Sequence, residues 1–215
     1  SAFLEFADLN EPLDKFFTRR IGIRLLLGQH LALMREFTHG RRDGVVGLID
    51  RHLSPAEVAQ DAIEAAMSIC RDATGTAPDI VVEGVVSLTF PYLREHLFYI
   101  LLELLKNAAR ATVEFWSDEA NGMPPIKLVI AHSDEHEDVA IKISDLGGGI
   151  KRSNMNRIFS YLYTTAPIEA KALIQQHLDT SVTGPLAGLG VGLPVSRAHA
   201  RFFGGDLQLI SMHGH

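Results

Sequence analysis

The stretch Glu103-Leu-Leu-Lys-Asn-Ala-Ala-Arg110 lies within residues 94–116, which we predict to form one long helix. Side chains three, four and seven positions apart share a helical face. The polar residues that share this face are Glu103, Lys106, Asn107, Arg110 and Glu114. Leucine and alanine fill the rest of the helix, and a helix that is apolar nearly all round is buried. A surface helix with spaced ion pairs is the alternative, but the narrow polar stripe favours a buried helix whose polar edge lines a site for a charged ligand.

The composition limits the classes of protein to consider. The chain has 215 residues, 47% of them hydrophobic, and a formal net charge of −6. This length suffices for a sizeable core in one or two domains. The acidic balance argues against nucleic acid as a partner, and no run approaches the roughly 18 apolar residues of a membrane span. The single cysteine, Cys70, excludes an intramolecular disulfide framework and indicates a reducing compartment; we expect it in the core.

Residues 1–76 are predicted to be helices packed on helices. Apolar residues recur at helical spacing over residues 3–37, as two helices or one bent helix. Ser54-Pro-Ala-Glu57 has the serine, proline and glutamate of a capped helix start, and that helix ends near Gly75. His30 is either a packed histidine of the helical bundle, which we favour, or a phospho-acceptor.

Residues 77–215 are predicted to mix strands with helices, which makes the fold class α+β. Residues 79–86, 126–131, 138–144 and 206–211 have strand patterns. A short helical segment is predicted at 155–161, a weak helix at 170–177 and a further helix at 193–203. An acidic turn joins the second and third strands as a hairpin. His132 and His136 beside its carboxylates suggest a metal site, but a solvated hairpin tip is the simpler interpretation.

Two glycine-rich turns follow the long helix, Asp145-Leu-Gly-Gly-Gly149 and Gly188-Leu-Gly-Val-Gly192. The second is not a P-loop, because no Gly-Lys-Ser/Thr follows, and Leu193 stands where a dinucleotide fingerprint needs its third glycine. It can still present backbone N–H groups to a phosphate at the start of a helix. A purely structural turn is the alternative for both.

Three polar residues suit a nucleotide and its reaction. Asp145 could accept a hydrogen bond from an amino group such as that of adenine, or simply form a turn. Asn107 has the oxygen needed to hold a magnesium ion that also binds phosphate. Glu103, one helical turn earlier, could orient or deprotonate an attacking hydroxyl.

The order of these features resembles the Bergerat-fold ATP-binding family of gyrases, HSP90-like chaperones, histidine kinases and MutL, and more closely the mitochondrial α-keto acid dehydrogenase kinases. The segments that carry the resemblance are 103–114, Ser144-Asp-Leu-Gly-Gly-Gly-Ile150, Tyr161-Leu-Tyr-Thr-Thr-Ala-Pro167, 188–197, 205–211 and the early 20–24 with 29–33. The resemblance covers nearly the whole chain. It implies a helical-bundle portion at 1–76 and an α/β-sandwich ATP-binding domain at 77–215, with a mobile lid at about 151–187.

The resemblance also implies roles for individual residues. Glu103 would be the general base for a substrate serine, and Asn107 would bind magnesium. The residues expected around ATP are Lys106, Arg110, Asp145, Gly147, Gly149, Thr164, Thr165, Ala187, Gly188, Leu189, Gly190, Val191, Gly192 and Leu193. The branched-chain member holds potassium at positions that match Ile158, Ser160, Tyr163 and Gly190, although Ser160 replaces its aspartate.

The function implied is an ATP- and magnesium-dependent protein serine kinase of the mitochondrial matrix. It would phosphorylate and inactivate the E1 subunit of an α-keto acid dehydrogenase complex, bind the lipoyl domain of E2 and form a homodimer. Tyr99 favours branched-chain E1 over pyruvate E1 as the substrate, because the pyruvate dehydrogenase kinases have histidine at that position. Leu146 departs from the arginine that is usual in the family. Two alternatives remain. The first is a two-component-type histidine kinase, although Leu-Ala-Leu follows His30 where that class requires Glu-x-x-x-Pro. The second is an inactive nucleotide-regulated binding module, against which the presence of Glu103 and Asn107 argues.

Overall fold

A computed structural model describes residues 9–117, 122–133, 138–164 and 190–212. The helices and strands are α1 (Asn10–His39), β1 (Val45–Val46), β2 (Ile49–Leu53), α2 (Pro55–Thr74), β3 (Ile80–Gly84), β4 (Phe90–Leu93), α3 (Arg94–Trp116), β5 (Ile126–His132), β6 (Val139–Ser144), α4 (Arg152–Met155) and α5 (Gly192–Phe202). The α+β class is confirmed, since an N-terminal helix precedes an α/β domain. Across the described ranges, no helix combines the length and apolarity that a membrane crossing requires.

Helix α3 lies at the centre of the core, and its predicted limits are confirmed. Helix α2 packs along it, and the sheet β3-β5-β6 contributes buried residues to the same core. Strand β5 pairs parallel with β3 and antiparallel with β6. Its alternate residues Ile126, Leu128 and Ile130 are fully buried, while Lys127 between them is exposed. The apolar arc of α3 is therefore covered by α2 and by this sheet.

The ends of helix α2 confirm the capping prediction. The Ser54 hydroxyl accepts a hydrogen bond from the Glu57 N–H at 3.3 Å, and Gly75 ends the helix in the left-handed conformation. A serine cap of this kind typically stabilises a helix by about 1 kcal/mol. Cys70 is fully buried on the inner face of α2, as expected.

The first third of the chain is not only helical. A second antiparallel sheet has the order β1-β2-β4, and its central strand pairs with Phe90–Leu93 from beyond residue 76. We did not predict these strands, because β1 has two residues and Pro91 is a poor strand former except at a sheet edge, where β4 lies. Residues 49–74 therefore share a sheet and a hydrophobic core with residues that follow position 76. The predicted domain boundary between residues 76 and 77 stays a prediction.

Helix α1 is one continuous helix that packs against α5. Much of its surface is uncovered by other described elements, since Leu26 is 72% exposed and Phe37 is 91% exposed. His30 is exposed as well, so the described residues do not pack around it and its interpretation as a packed bundle histidine is wrong for this structure.

Two other predictions need correction. Residues 206–211 alternate between half-buried and exposed, as a strand would, but no backbone partner pairs with them among the described residues, so the predicted strand is wrong. The short helix is Arg152–Met155, and turns occupy most of 155–161 instead. The predicted helix at 170–177, His136 at the hairpin tip and the lid residues 165–187 lie outside the described residues.

Candidate nucleotide-binding site

The polar stripe of α3 includes a buried ion pair. Lys106 Nζ lies 2.8 Å from Glu103 Oε1, and only 4% and 16% of the two side chains are exposed. Asn107 is half-buried beside them, and Arg110 reaches the largely exposed Glu114 at 3.9 Å. A buried pair needs close geometry to offset the loss of hydration. The interpretation of α3 as a buried helix with a polar edge is therefore confirmed at Glu103 and Lys106.

The loop after β6 lies against the C-terminal turns of α3. Asp145 Oδ1 accepts a hydrogen bond from the Gly147 N–H at 3.0 Å, which closes a tight turn, and the Asp145 side chain remains exposed. Trp116 Nε1 donates to the Leu146 carbonyl at 2.8 Å. A Cβ added to Gly147 would lie 2.6 Å from the Ala111 Cβ, so only glycine permits this close approach. The loop thus contacts α3 two turns beyond Glu103, or about 12 Å along the helix axis.

The end of the second glycine-rich turn lies at Glu103 itself. Helix α5 begins at Gly192, where an added Cβ would lie 2.4 Å from Glu103 Oε2. The free N–H groups at a helix start favour anions. The structure therefore places a potential phosphate-binding turn directly beside the proposed base. Thr165, Ala187, Gly188 and Leu189, predicted for the same pocket, lie outside the described residues.

The residues predicted for potassium lie in one region. The Tyr163 N–H donates to the Ser160 carbonyl at 3.3 Å, and the Leu162 N–H donates to the Gly190 carbonyl at 3.0 Å. Gly190 has φ +74°, and an added Cβ would lie 2.5 Å from the Tyr163 carbonyl oxygen. Buried Ile158 and half-buried Thr164 flank this set. The described residues include no cluster of three or more His, Cys, Asp or Glu that could hold a metal ion.

Sequence reasoning missed an aromatic cluster between α3 and α5. The rings of His96 and His199 meet edge to face at 4.4 Å, and Tyr99 lies 4.9 Å from His199. Burial lowers the pKa of both histidines to about 4, with a further lowering of the His199 pKa by His96. Burial, and then the Glu103 carboxylate, raise the pKa of Tyr99 above its usual value. The available signal was that residues 96, 99 and 103 share one helical face.

Comparison with known proteins identifies the family. Residues 93–215 match the profile of the histidine kinase-, DNA gyrase B- and HSP90-like ATPases. The chain belongs to this ATPase family. Residues 2–50 match a second profile, described as mitochondrial branched-chain alpha-ketoacid dehydrogenase kinase.

Individual relatives of this ATPase-family chain are named mitochondrial pyruvate dehydrogenase (acetyl-transferring) kinases. The protein from Arabidopsis thaliana is 47% identical over 212 residues, which cover 97% of the chain and 55% of the relative. The protein from Schizosaccharomyces pombe is 43% identical, over 94% of the chain and 47% of the relative. Human isozyme 3 is 40% identical, over 94% of the chain and 49% of the relative. The chain thus spans about half the length of these relatives, and the resemblance to the mitochondrial dehydrogenase kinases is confirmed.

Proposed function

We propose that the chain is the ATP-binding and catalytic part of a mitochondrial protein serine kinase that phosphorylates and inactivates the E1 subunit of the pyruvate dehydrogenase complex. The observation that carries this proposal is the Glu103 carboxylate, held by Lys106 and covered by the Gly192 backbone at the start of α5. The names of the relatives support pyruvate over branched-chain E1. The branched-chain preference suggested by Tyr99 is not confirmed.

Glu103 has the position of a general base. In the proposed reaction the substrate serine oxygen attacks the γ-phosphorus of ATP, ADP leaves, and the serine proton passes to the Glu103 carboxylate. The ion pair with Lys106 orients this carboxylate, and backbone N–H groups at the start of α5 would meet phosphate oxygens. The reacting groups are thereby aligned within one small region of α3 and α5.

ATP would extend along α3 from Glu103 towards Asp145. An ionised carboxylate has about four acceptor positions, so Asp145 can accept from the Gly147 N–H and also from the adenine amino group. Its side chain is exposed and therefore accessible to a ligand. Arg110 lies on the same face, between the two ends.

The residues present fit a magnesium ion bound mainly by phosphate. Asn107 lies one turn after Glu103, and magnesium usually takes one or two protein oxygens together with phosphate oxygens and water. When bound, the ion supplies charge neutralisation on the transferring phosphate. Potassium fits the carbonyl-rich region of Ser160, Tyr163 and Gly190, where it would fix the backbone beside the phosphates. From the family resemblance we also propose that the protein forms a homodimer, lies in the mitochondrial matrix and binds the lipoyl domain of E2.

The decisive experiment replaces the proposed base. Glu103→Gln preserves the shape of the side chain but removes its basicity. We expect ATP affinity, measured by calorimetry, to change little and transfer of labelled phosphate from ATP to purified pyruvate E1 to be abolished. Glu114→Gln is the matched control, because Glu114 lies on the same stripe with 60% of its side chain exposed.

The choice of acceptor tests the substrate. Purified branched-chain E1 is assayed in parallel with pyruvate E1. Full residual transfer by Glu103→Gln would refute the assignment of the base, and preferential labelling of branched-chain E1 by the wild-type chain would refute the pyruvate assignment. Acid-labile phosphate on the chain itself would instead favour a histidine kinase.

A further inference from the structure

Tyr161 connects the nucleotide site to the start of helix α1. Its backbone N–H donates to Asn10 Oδ1 at 2.9 Å, and its hydroxyl donates to Asp14 Oδ1 at 3.1 Å. Its ring stacks on Phe17 with 5.3 Å between centroids and 4° between planes. Positions 10, 14 and 17 share one helical face. Tyr161 is only 4% exposed, so one buried residue makes all three contacts with α1, one through its backbone and two through its side chain.

The Tyr161 hydroxyl is held in its protonated, donating form. Burial raises the pKa of this phenol, and the neighbouring Asp14 carboxylate raises it further. A hydrogen bond to a charged acceptor is stronger than a neutral one. The contact with Asp14 is therefore directional and fixes the position of the Tyr161 backbone relative to α1.

The backbone that follows Tyr161 is fixed from both sides. Leu162 has φ +64°, and it is the one non-glycine residue with positive φ in the described part of the chain. Such a conformation persists only where surrounding contacts hold it. On one side Tyr161 is anchored to α1, and on the other the Leu162 N–H donates to the Gly190 carbonyl at 3.0 Å. The Tyr163 carbonyl also packs against Gly190.

From Gly190 the contacts continue to the proposed base. Two residues further on, Gly192 lies against the Glu103 carboxylate. Burial raises the pKa of Tyr99, and the charges of Glu103 and Tyr161 raise it further. A continuous set of contacts therefore joins Asp14, Tyr161, Gly190, Gly192 and Glu103.

We propose that Tyr161 is a positioning residue that, through its contacts with Asn10 and Asp14, holds the Gly190–Gly192 turn in its nucleotide-binding position. The inference rests on the proposed function in that this turn binds ATP. Its consequence is that the first turns of α1 set nucleotide affinity through their contacts with Tyr161.

The test is a double-mutant cycle on ATP affinity. Tyr161→Phe removes the hydroxyl but keeps the ring that stacks on Phe17, and Asp14→Ala removes the acceptor. Each single variant is expected to weaken ATP binding about fivefold in calorimetry. The double variant should be no weaker than either single one, because both remove the same hydrogen bond. Asp14→Asn, which keeps an acceptor oxygen, should bind ATP more tightly than Asp14→Ala.

The control is Tyr92→Phe, which removes the hydroxyl of a half-buried residue on β4 whose ring contacts Phe203, at the end of α5 opposite to Gly192. It should leave ATP affinity unchanged. Wild-type affinity in folded Tyr161→Phe and Asp14→Ala would overturn the proposal, as would losses that multiply in the double variant. A wild-type chain that binds no ATP would overturn both the proposed function and this inference. If Glu103→Gln transfers phosphate at the wild-type rate while Tyr161→Phe and Asp14→Ala weaken ATP binding as expected, the assignment of the base fails and this inference stands.

Discussion

Replacing Gly192 with alanine would place a methyl group where the Glu103 carboxylate now lies. The ideal Cβ position is 2.4 Å from Glu103 Oε2, and ordinary contact begins near 3.4 Å. The carboxylate must therefore move by about 1 Å, away from a position where it receives a hydrogen bond from Lys106 at 2.8 Å. Gly192 is the first residue of α5 and has no positive φ, so alanine suits its backbone. The obstacle is the end of one flexible side chain, and the fold should tolerate it.

The expected effect is on catalysis more than on binding. A misplacement of about 1 Å at a reacting group costs on the order of 100-fold in rate, which corresponds to about 2.7 kcal/mol of activation free energy. We expect Gly192→Ala to lower single-turnover transfer of labelled phosphate to purified pyruvate E1 by about that factor. The calorimetric affinity for ATP should change by less than about threefold, because the backbone that we propose to meet the phosphates would stay in place.

Two other glycine substitutions calibrate this result. Gly22→Ala puts its Cβ 3.5 Å from the Phe202 ring, an ordinary contact, and should leave transfer and binding unchanged. Gly190→Ala meets the Tyr163 backbone at 2.5 Å with φ +74°, so the turn itself must shift and ATP binding should be lost. Transfer at the wild-type rate by Gly192→Ala would show that the reaction does not depend on the position of Glu103, and would refute the reasoning.

Two further predictions concern magnesium and acid stability. Asn107→Ala should abolish the part of the ATP affinity that depends on magnesium. Calorimetry with magnesium and with excess chelator measures this part. If the ATP affinity of the variant depends on magnesium as much as that of the wild type, Asn107 does not have the assigned role. At His96 and His199 the unfolded chain binds more protons than the folded one between about pH 4 and pH 6.5, because the pKa of each histidine is lowered to about 4 in the fold. The stability that this neutral histidine pair contributes is therefore complete above pH 6.5 and is lost as the pH falls towards 4. From pH 7 to pH 5 the free energy of unfolding should drop by about 2–3 kcal/mol, a value discounted for the partial exposure of His199. Urea denaturation of a His96→Leu/His199→Leu variant should show little of this dependence, while the exposed control His52→Gln should retain it.

The parts of the fold that sequence predicted correctly depend on contacts between near neighbours. Helix α3 follows from the 3.6-residue period of its apolar residues, and the start of α2 from a serine, proline and glutamate within four positions. The hairpin β5–β6 follows from two adjacent alternating segments. The strands β1, β2 and β4 could not be predicted in this way, because they are short and exist through pairing between distant residues. Residues 206–211 show the reverse case, since their alternating pattern has no paired strand within the part of the chain that the structure describes.

In the candidate site, too, the features that sequence predicted are local, and the contacts that it could not predict join distant residues. Sequence alone placed Glu103, Lys106 and Asn107 on one face of a buried helix, because helical spacing is a local property of the chain, and the ordered glycine-rich motifs indicated the ATPase family. Only the tertiary structure brought Gly192 against Glu103, and Tyr161 against Asn10 and Asp14 across 151 and 147 positions of sequence. Such contacts depend on how α1, α3 and α5 pack, and the free energy of that packing is a sum over the whole core that no short segment encodes.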